Sequence, residues 1–148
     1  MNRATLQMRR VAKHLMAFEA PGRGHSEAKT AAAFPVTDRL RLHLSDLMGR
    51  GGFRALLSRA VVLTIAEVPW LRAVEVKADG TLEGLEAIHA QLDPAEFLEG
   101  RVILLAQLLG LLVAFIGPNL TLRSVTEIWP EVPLDGLDFG NGDQNEKT

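Results

Sequence analysis

The feature that most constrains the fold is an uninterrupted apolar run, residues 102–116, that contains a single polar side chain, a glutamine. The residues before the run carry the signals of a helix start. Asp93 can cap a helix, Pro94 presets the first backbone angle, and Glu96 places a negative charge near the N-terminus. Gly117 and Pro118 then end the helix. Because a helix that is apolar nearly all round has to be buried, we expect this one to form the centre of a helical bundle.

The same run is apolar enough to be considered as a membrane-spanning helix. Its residues, at about 1.5 Å each, would span roughly 23 Å, short of the roughly 30 Å hydrocarbon core of a bilayer. Three charged residues, Glu96, Glu99 and Arg101, also lie just before the run. We therefore expect no membrane span, and keep membrane association through residues 102–116 as an alternative. Gly110, in the middle of the predicted helix, suggests a close approach by another helix.

The other helices are predicted from apolar residues at helical spacing. Thr37 or Asp38 can cap the second helix, which stops at a glycine-rich turn, residues 49–52. Pro69 ends the third helix. A brief helix is expected around residues 85–90. The longer predicted helices cover residues 4–18, 37–48, 53–68, 93–116 and 118–129.

Three segments are predicted not to be helical. Alternating valines and an Asp79-Gly80 pair predict a short β-hairpin near residues 73–85, which would need to lie against the helices to persist. Residues 19–36 are predicted to be a mobile loop, and residues 131–148 an acidic, largely disordered tail. The predicted fold class is thus mainly α, a bundle of about five helices in a single domain, residues 1–130.

Charge is divided unevenly along the chain. Residues 1–72 contain 12 Lys and Arg against 5 Asp and Glu, whereas residues 73–148 contain 4 against 13. One explanation is that the basic half binds an anionic partner. The other is that the two halves attract each other, within the fold or across a homodimer. We favour the internal account.

The chain contains no cysteine, which excludes disulfides, thiolate metal sites and a cysteine nucleophile, and fits a reducing compartment. The first ten residues form no apolar stretch of the kind that a secretory signal requires. We therefore predict a cytoplasmic location.

The candidate binding residues lie in and after the second and third predicted helices. With the hairpin as a wing, these helices resemble a winged helix-turn-helix in outline. A wing that binds phosphates should be basic, yet Glu75, Asp79 and Glu83 outnumber Lys77, so nucleic-acid binding is an alternative that we do not favour. A Trp beside an Arg is typical of a binding hot spot, although packing is the commoner role. The predicted partner-binding residues are Arg50, Arg54, Arg59, Trp70 and Arg72.

Motifs for cofactors and catalysis are weak. No histidine lies three or four residues from another, so no metal site is predicted. Residues 22–30 end in Lys-Thr like a phosphate-binding loop, but Arg23 and Ala28 stand where that loop needs glycine. His25 beside Ser26 does not build a catalytic triad, because triad members meet through folding. We predict no cofactor and lean away from an enzyme.

Two stretches, GGFRALLSRAVVLTIAEVPWLRAVEVKADGTLEGL and LLGLLVAFIGPNLTLRSVTEIWP, resemble a small bacterial family of helical proteins that has no assigned activity. The similarity covers roughly residues 35–130. It implies a bacterial setting and carries no catalytic residue to this chain. The function expected from the sequence is therefore a non-enzymatic interaction or regulatory protein that binds a protein partner or a second copy of itself.

Overall fold

The structure, a computed structural model, describes residues 6–18 and 35–132. These residues form a mainly α bundle with a two-stranded sheet, which confirms the predicted fold class. The elements in chain order are α1 (Leu6–Phe18), α2 (Pro35–Ile65), a 3₁₀ helix (Pro69–Ala73), β1 (Glu75–Val76), β2 (Leu82–Glu83), α3 (Leu85–His89), α4 (Pro94–Ile116) and α5 (Pro118–Ile128). The predicted tail beyond residue 132 and most of the predicted loop lie outside the described residues.

The centre of the bundle is α4, as its composition predicts. Helices α1, α2 and α5 each pack against it. Every residue from Val102 to Leu109 is buried, including Gln107. Because this stretch covers more than two helical turns, all sides of the helix are enclosed there.

The boundary of α4 is predicted correctly, but the capping is not. Asp93 precedes the helix in an extended conformation, and its side chain makes no capping hydrogen bond. Its backbone carbonyl instead accepts the first helical bond, from the Phe97 N–H at 3.0 Å. Pro94, at the first helical position, therefore determines where the helix starts, because its fixed φ suits a helix and it has no N–H that needs a partner.

Helix α2 contains both the second and third predicted helices. Gly49, at φ 84° and ψ 156°, is the residue where helical geometry breaks. The predicted turn of four residues is thus wrong, because residues 50–52 are already helical. The break is sharp: Arg41 and Phe53 both have side-chain atoms 3.2 Å from where a Cβ on Gly80 would sit. A straight helix would hold these two residues about 18 Å apart along its axis.

Both ends of α2 differ from the prediction. The helix starts at Pro35, within the predicted loop, and Val36 is already buried in the core. It ends at Ile65 instead of Val68, where the Thr64 carbonyl accepts hydrogen bonds from the N–H groups of Glu67 and Val68. Pro69 then opens the 3₁₀ helix, which was not predicted.

The predicted hairpin is confirmed. Strands β1 and β2 pair antiparallel with Val76 opposite Leu82. The turn is closed by the Lys77 N–H, which donates to the Thr81 carbonyl at 2.8 Å. Gly80 has φ 86°, a conformation that glycine adopts without steric cost.

A close helix approach occurs at Gly100 and not at Gly110. A Cβ on Gly100 would lie 2.2 Å from Cζ2 of Trp70, so only glycine fits beneath that ring. At Gly110 the nearest neighbouring atom to such a Cβ would be Cγ of Met8, at 4.0 Å, which is ordinary contact distance. The expectation for Gly110 is therefore wrong, and Met8 shows instead that the first turn of α1 lies beside that part of α4.

Candidate functional site

The predicted partner-binding arginines are exposed, but the structure does not bring them together. Arg50 and Arg54 lie one turn apart on the same side of α2. Arg59 is nine residues beyond Arg50, which at about 100° per residue places it on the opposite side of the helix. Arg72 lies beyond the end of α2, in the 3₁₀ helix. These residues therefore do not form one continuous basic surface.

Arg54 has a structural partner. Its Nε donates to the Lys77 backbone carbonyl at 3.1 Å, which ties α2 to the turn of the hairpin, just after β1. Sequence spacing could not reveal this bond, because the carbonyl belongs to a segment 23 residues away. A side chain that already holds two elements together is less free to reach a partner.

Trp70 is half-buried and packs against the core. Its ring stacks on that of Phe97, with centroids 5.6 Å apart and planes 26° from parallel. Gly100, one turn along α4, gives the indole the space that it occupies. The packing interpretation, which the sequence already favoured over a hot spot, accounts for this contact.

An aromatic and cationic cluster surrounds Phe97, and the sequence did not predict it. His89 of α3 approaches the Phe97 ring with centroids 4.8 Å apart. The Arg101 guanidinium carbon lies 4.6 Å from the centre of the same ring. Burial lowers the pKa of Arg101, because the apolar surroundings disfavour its charge. With Trp70, these residues anchor α3 and the 3₁₀ helix to the start of α4.

The hairpin does not have the character of a nucleic-acid-binding wing. Nζ of Lys77 pairs with Glu83 at 2.9 Å, so the single lysine of the hairpin is engaged with a carboxylate. The tip packs on Arg41 and Phe53 of α2. The Asp79 carboxylate accepts hydrogen bonds from Thr81 Oγ1 at 2.7 Å and from its N–H at 3.0 Å, which lower the pKa of Asp79.

The basic and acidic halves of the chain meet where α2 contacts the end of α5. His43 of α2 is half-buried, and its Nε2 lies 3.3 Å from a carboxylate oxygen of Glu127 in α5. Arg39 of α2 donates to the Ile128 carbonyl at 2.8 Å, and its guanidinium carbon lies 5.4 Å from the Trp129 ring centre. These contacts join the basic half to the end of α5, in the acidic half.

Arg9 of α1 forms an ion pair with Glu67, just beyond α2, which lies in the same half of the chain. Within residues 6–18 and 35–132, no group of three metal-binding side chains converges. His25 lies outside that part of the chain.

The last two turns of α4 differ from its middle. Beyond Leu109 the helix is buried on one side only: Leu112 is 1% exposed, whereas Phe115 is 67% exposed. Leu6, in the neighbouring first turn of α1, is 73% exposed. We call this surface the apolar end. Its exposed residues are Leu6, Ala114 and Phe115, and its partly buried residues, which also pack against the core, are Leu111, Val113 and Ile116.

By length and composition, α4 could cross a membrane, and it is the one such helix among the described residues. However, 56% of its most apolar stretch is buried inside the bundle. The central helix of a soluble protein meets the same criteria, so this property alone does not indicate a span.

Comparison with protein-family models, with curated proteins and with solved structures finds no match for this chain. The bacterial-family resemblance therefore stays a prediction, and the function has to be argued from the chain's own geometry.

Proposed function

We propose that this protein acts by binding and not by catalysis, and that the apolar end is its docking surface. The observation that carries the proposal is the contrast along α4, in which a completely enclosed stretch continues into two turns that leave Phe115 in solvent. A large apolar side chain left in water beside other partly exposed apolar residues is a candidate interaction site in a soluble protein.

The proposal keeps the predicted class of non-enzymatic interaction protein but moves the surface. The expected binding residues Arg50, Arg54, Arg59 and Arg72 do not converge, and Trp70 packs on Phe97. The apolar end joins neighbouring turns of two helices. Nucleic-acid binding through α2 is disfavoured, because the basic groups point to different sides and the hairpin carries more acids than bases. A cytoplasmic protein in a bacterial setting remains our expectation.

A matched pair of variants tests the docking surface in unfractionated extracts of the native cell. Phe115→Ser removes the ring at the apolar end, and Val62→Ser removes a side chain that is equally exposed, at 66%, on α2. The wild-type protein and Val62→Ser should sediment with material much larger than the 16.2 kDa chain. Phe115→Ser should sediment as the free chain. Free sedimentation of all three proteins, or equal behaviour of the two variants, would contradict the proposal.

A further inference from the structure

We propose that the apolar end docks on the surface of a bilayer that contains anionic phospholipids, an inference that rests on the docking function proposed above. The ligand is the headgroup layer together with the outermost part of the acyl chains. The protein would lie on the membrane and would not cross it.

The first argument is the distribution of charge around the apolar end. The apolar end is formed by the first turn of α1 beside Gly110, the last turns of α4, and the start of α5 after Gly117. The segment just beyond α2 also reaches the first turn of α1, where the charge of Glu67 is compensated by its ion pair with Arg9. The sequence has no Asp or Glu in residues 1–18 or in residues 100–126. In a chain with more acids than bases, the apolar end is thus built from segments that would not be repelled by an anionic surface.

The second argument is the outer face of α1. Its exposed residues are Leu6, Arg10, Lys13 and Ala17, which recur at helical spacing along one side. Leu6 belongs to the apolar end, and the two basic residues follow it along the same face. An apolar tip next to basic side chains is the pattern by which amphipathic helices bind an anionic interface, since the tip enters the acyl boundary while the cations contact phosphates.

The charge distribution also distinguishes a bilayer from a second copy of the chain. A two-fold symmetric dimer through the apolar end would bring the same surface of both copies together. Arg10 and Lys13 of one copy would then approach their own counterparts, and no carboxylate from the acid-free segments would compensate them. A bilayer with anionic lipids meets the apolar and the basic groups at once.

The enclosed middle of α4 indicates peripheral binding. A membrane span would require residues 102–109 to leave the contacts with α1, α2 and α5 that bury them. Docking by the exposed side of the last two turns, which includes Phe115, leaves these contacts intact. The bound protein should therefore be released by high salt, without detergent.

The test is co-sedimentation of the purified full chain with vesicles of phosphatidylcholine alone and with vesicles that contain one quarter phosphatidylglycerol. We expect binding to the anionic vesicles only, and loss of binding as salt is raised. Phe115→Ser should lower the partition coefficient about tenfold, since burying such a ring contributes roughly that factor. Val62→Ser should stay within about twofold of the wild type.

A second pair tests the cations. Arg10→Gln combined with Lys13→Gln should lower binding by more than about tenfold, because each basic residue near an anionic surface contributes a factor of about five. The matched control, Arg50→Gln combined with Arg59→Gln, changes two exposed arginines of α2 and should have little effect. Circular dichroism of each variant verifies that the fold is retained.

The outcomes separate the lipid inference from the docking function. No binding to anionic vesicles, equal binding by all variants, or protein that resists salt extraction would overturn the lipid inference. A Phe115-dependent dimer in sedimentation velocity, or a Phe115-dependent complex that persists in membrane-free extract, would overturn it while leaving the docking surface in place. Absence of every Phe115-dependent association would overturn both.

Discussion

The middle and the end of α4 have nearly the same composition but opposite surroundings. Residues 102–109 are buried on every side by α1, α2 and α5, whereas Phe115, two turns further along, is two-thirds exposed. In the middle, apolar side chains stabilise the fold because they are removed from water. At the end, Leu112 is still buried, but the exposed ring of Phe115 contributes little to the fold, so an apolar side chain at that position points to an interaction outside the monomer.

The difference arises because the neighbours of α4 are of unequal length and position. Helix α4 has 23 residues, whereas α1 has 13 and α5 has 11. Helices α1 and α5 are too short to cover α4 along its whole length, and α2, which has 31 residues, is bent at Gly49. Which end stays uncovered is decided by where they pack, and the contact of Met8 with the region of Gly110 places the first turn of α1 beside that part of α4.

The largest expected effect compares truncations in the two regions. Leu105→Ala removes a completely buried side chain and should lower the free energy of unfolding by about 2–5 kcal/mol. Phe115→Ala should change it by no more than about 0.5 kcal/mol. Urea-induced unfolding followed by circular dichroism measures both. Equal losses of unfolding free energy would show that the end of α4 is packed as tightly as its middle, which would contradict the difference described here.

A second comparison uses the two glycines of α4. Gly100→Ala forces the Trp70 ring to move and should destabilise the fold by about 1–3 kcal/mol. Gly110→Ala has room for its methyl group and should stabilise the helix by up to about 1 kcal/mol. Thermal unfolding gives the stabilities, and tryptophan fluorescence should change for the Gly100 variant only. The two variants should change the stability of the fold in opposite directions. A Gly100→Ala variant more stable than the wild type would contradict the packing of Trp70.

A smaller effect is expected where α5 is fastened to α2, since this contact helps to enclose the middle of α4. Arg39→Met removes the hydrogen bond to the Ile128 carbonyl and the contact with the Trp129 ring. The loss should be about 1–2 kcal/mol, at the low end for such contacts because the side chain is only partly buried. Arg59→Met, at an exposed position, serves as the control and should stay within about 0.5 kcal/mol of the wild type.

The smallest expected effect is on the pH dependence of stability, through the carboxylates of Asp38 in α2 and Asp79 in the hairpin. Partial burial raises the pKa of Asp38 above 3.8, while hydrogen bonds from Thr81 lower the pKa of Asp79 below 3.8. The stability linked to Asp38 is therefore present below pH 3.8 and lost as the pH rises through its folded-state pKa. The stability linked to Asp79 is present above pH 3.8 and lost as the pH falls through its folded-state value.

Carboxyl NMR titration measures both groups. Thr81→Val, which removes the hydroxyl donor, should move the pKa of Asp79 back toward 3.8 and leave Asp38 nearly unchanged. Equal shifts of the two groups would show that one shared charge effect, and not the local hydrogen bonds, controls this region.

Much of the fold could be predicted because its signals are local. The hairpin follows from alternating valines before Asp79-Gly80, and the helix boundaries follow from Pro94, Gly117 and Pro118. Errors occurred where a local signal has two solutions. A glycine-rich segment can form a turn of several residues or a single break, and the structure uses Gly49 alone.

The candidate site was predicted poorly for a physical reason. Arg50, Arg54 and Arg59 are close in sequence, but helical rotation and the bond of Arg54 to the Lys77 carbonyl separate them. The apolar end was not predicted, because its residues have the composition expected of a buried core. An exposed apolar side chain has no sequence signal that distinguishes it from a buried one, since both belong to the same apolar run.

The sequence by itself determined that the chain forms a helical bundle around residues 93–116, because a helix without a polar face has to leave water. It also determined where that helix begins and ends, because proline and glycine act on the backbone locally. Only the tertiary structure decided which part of the helix is covered. Coverage depends on the lengths and positions of helices from other parts of the chain, and no local pattern contains that information.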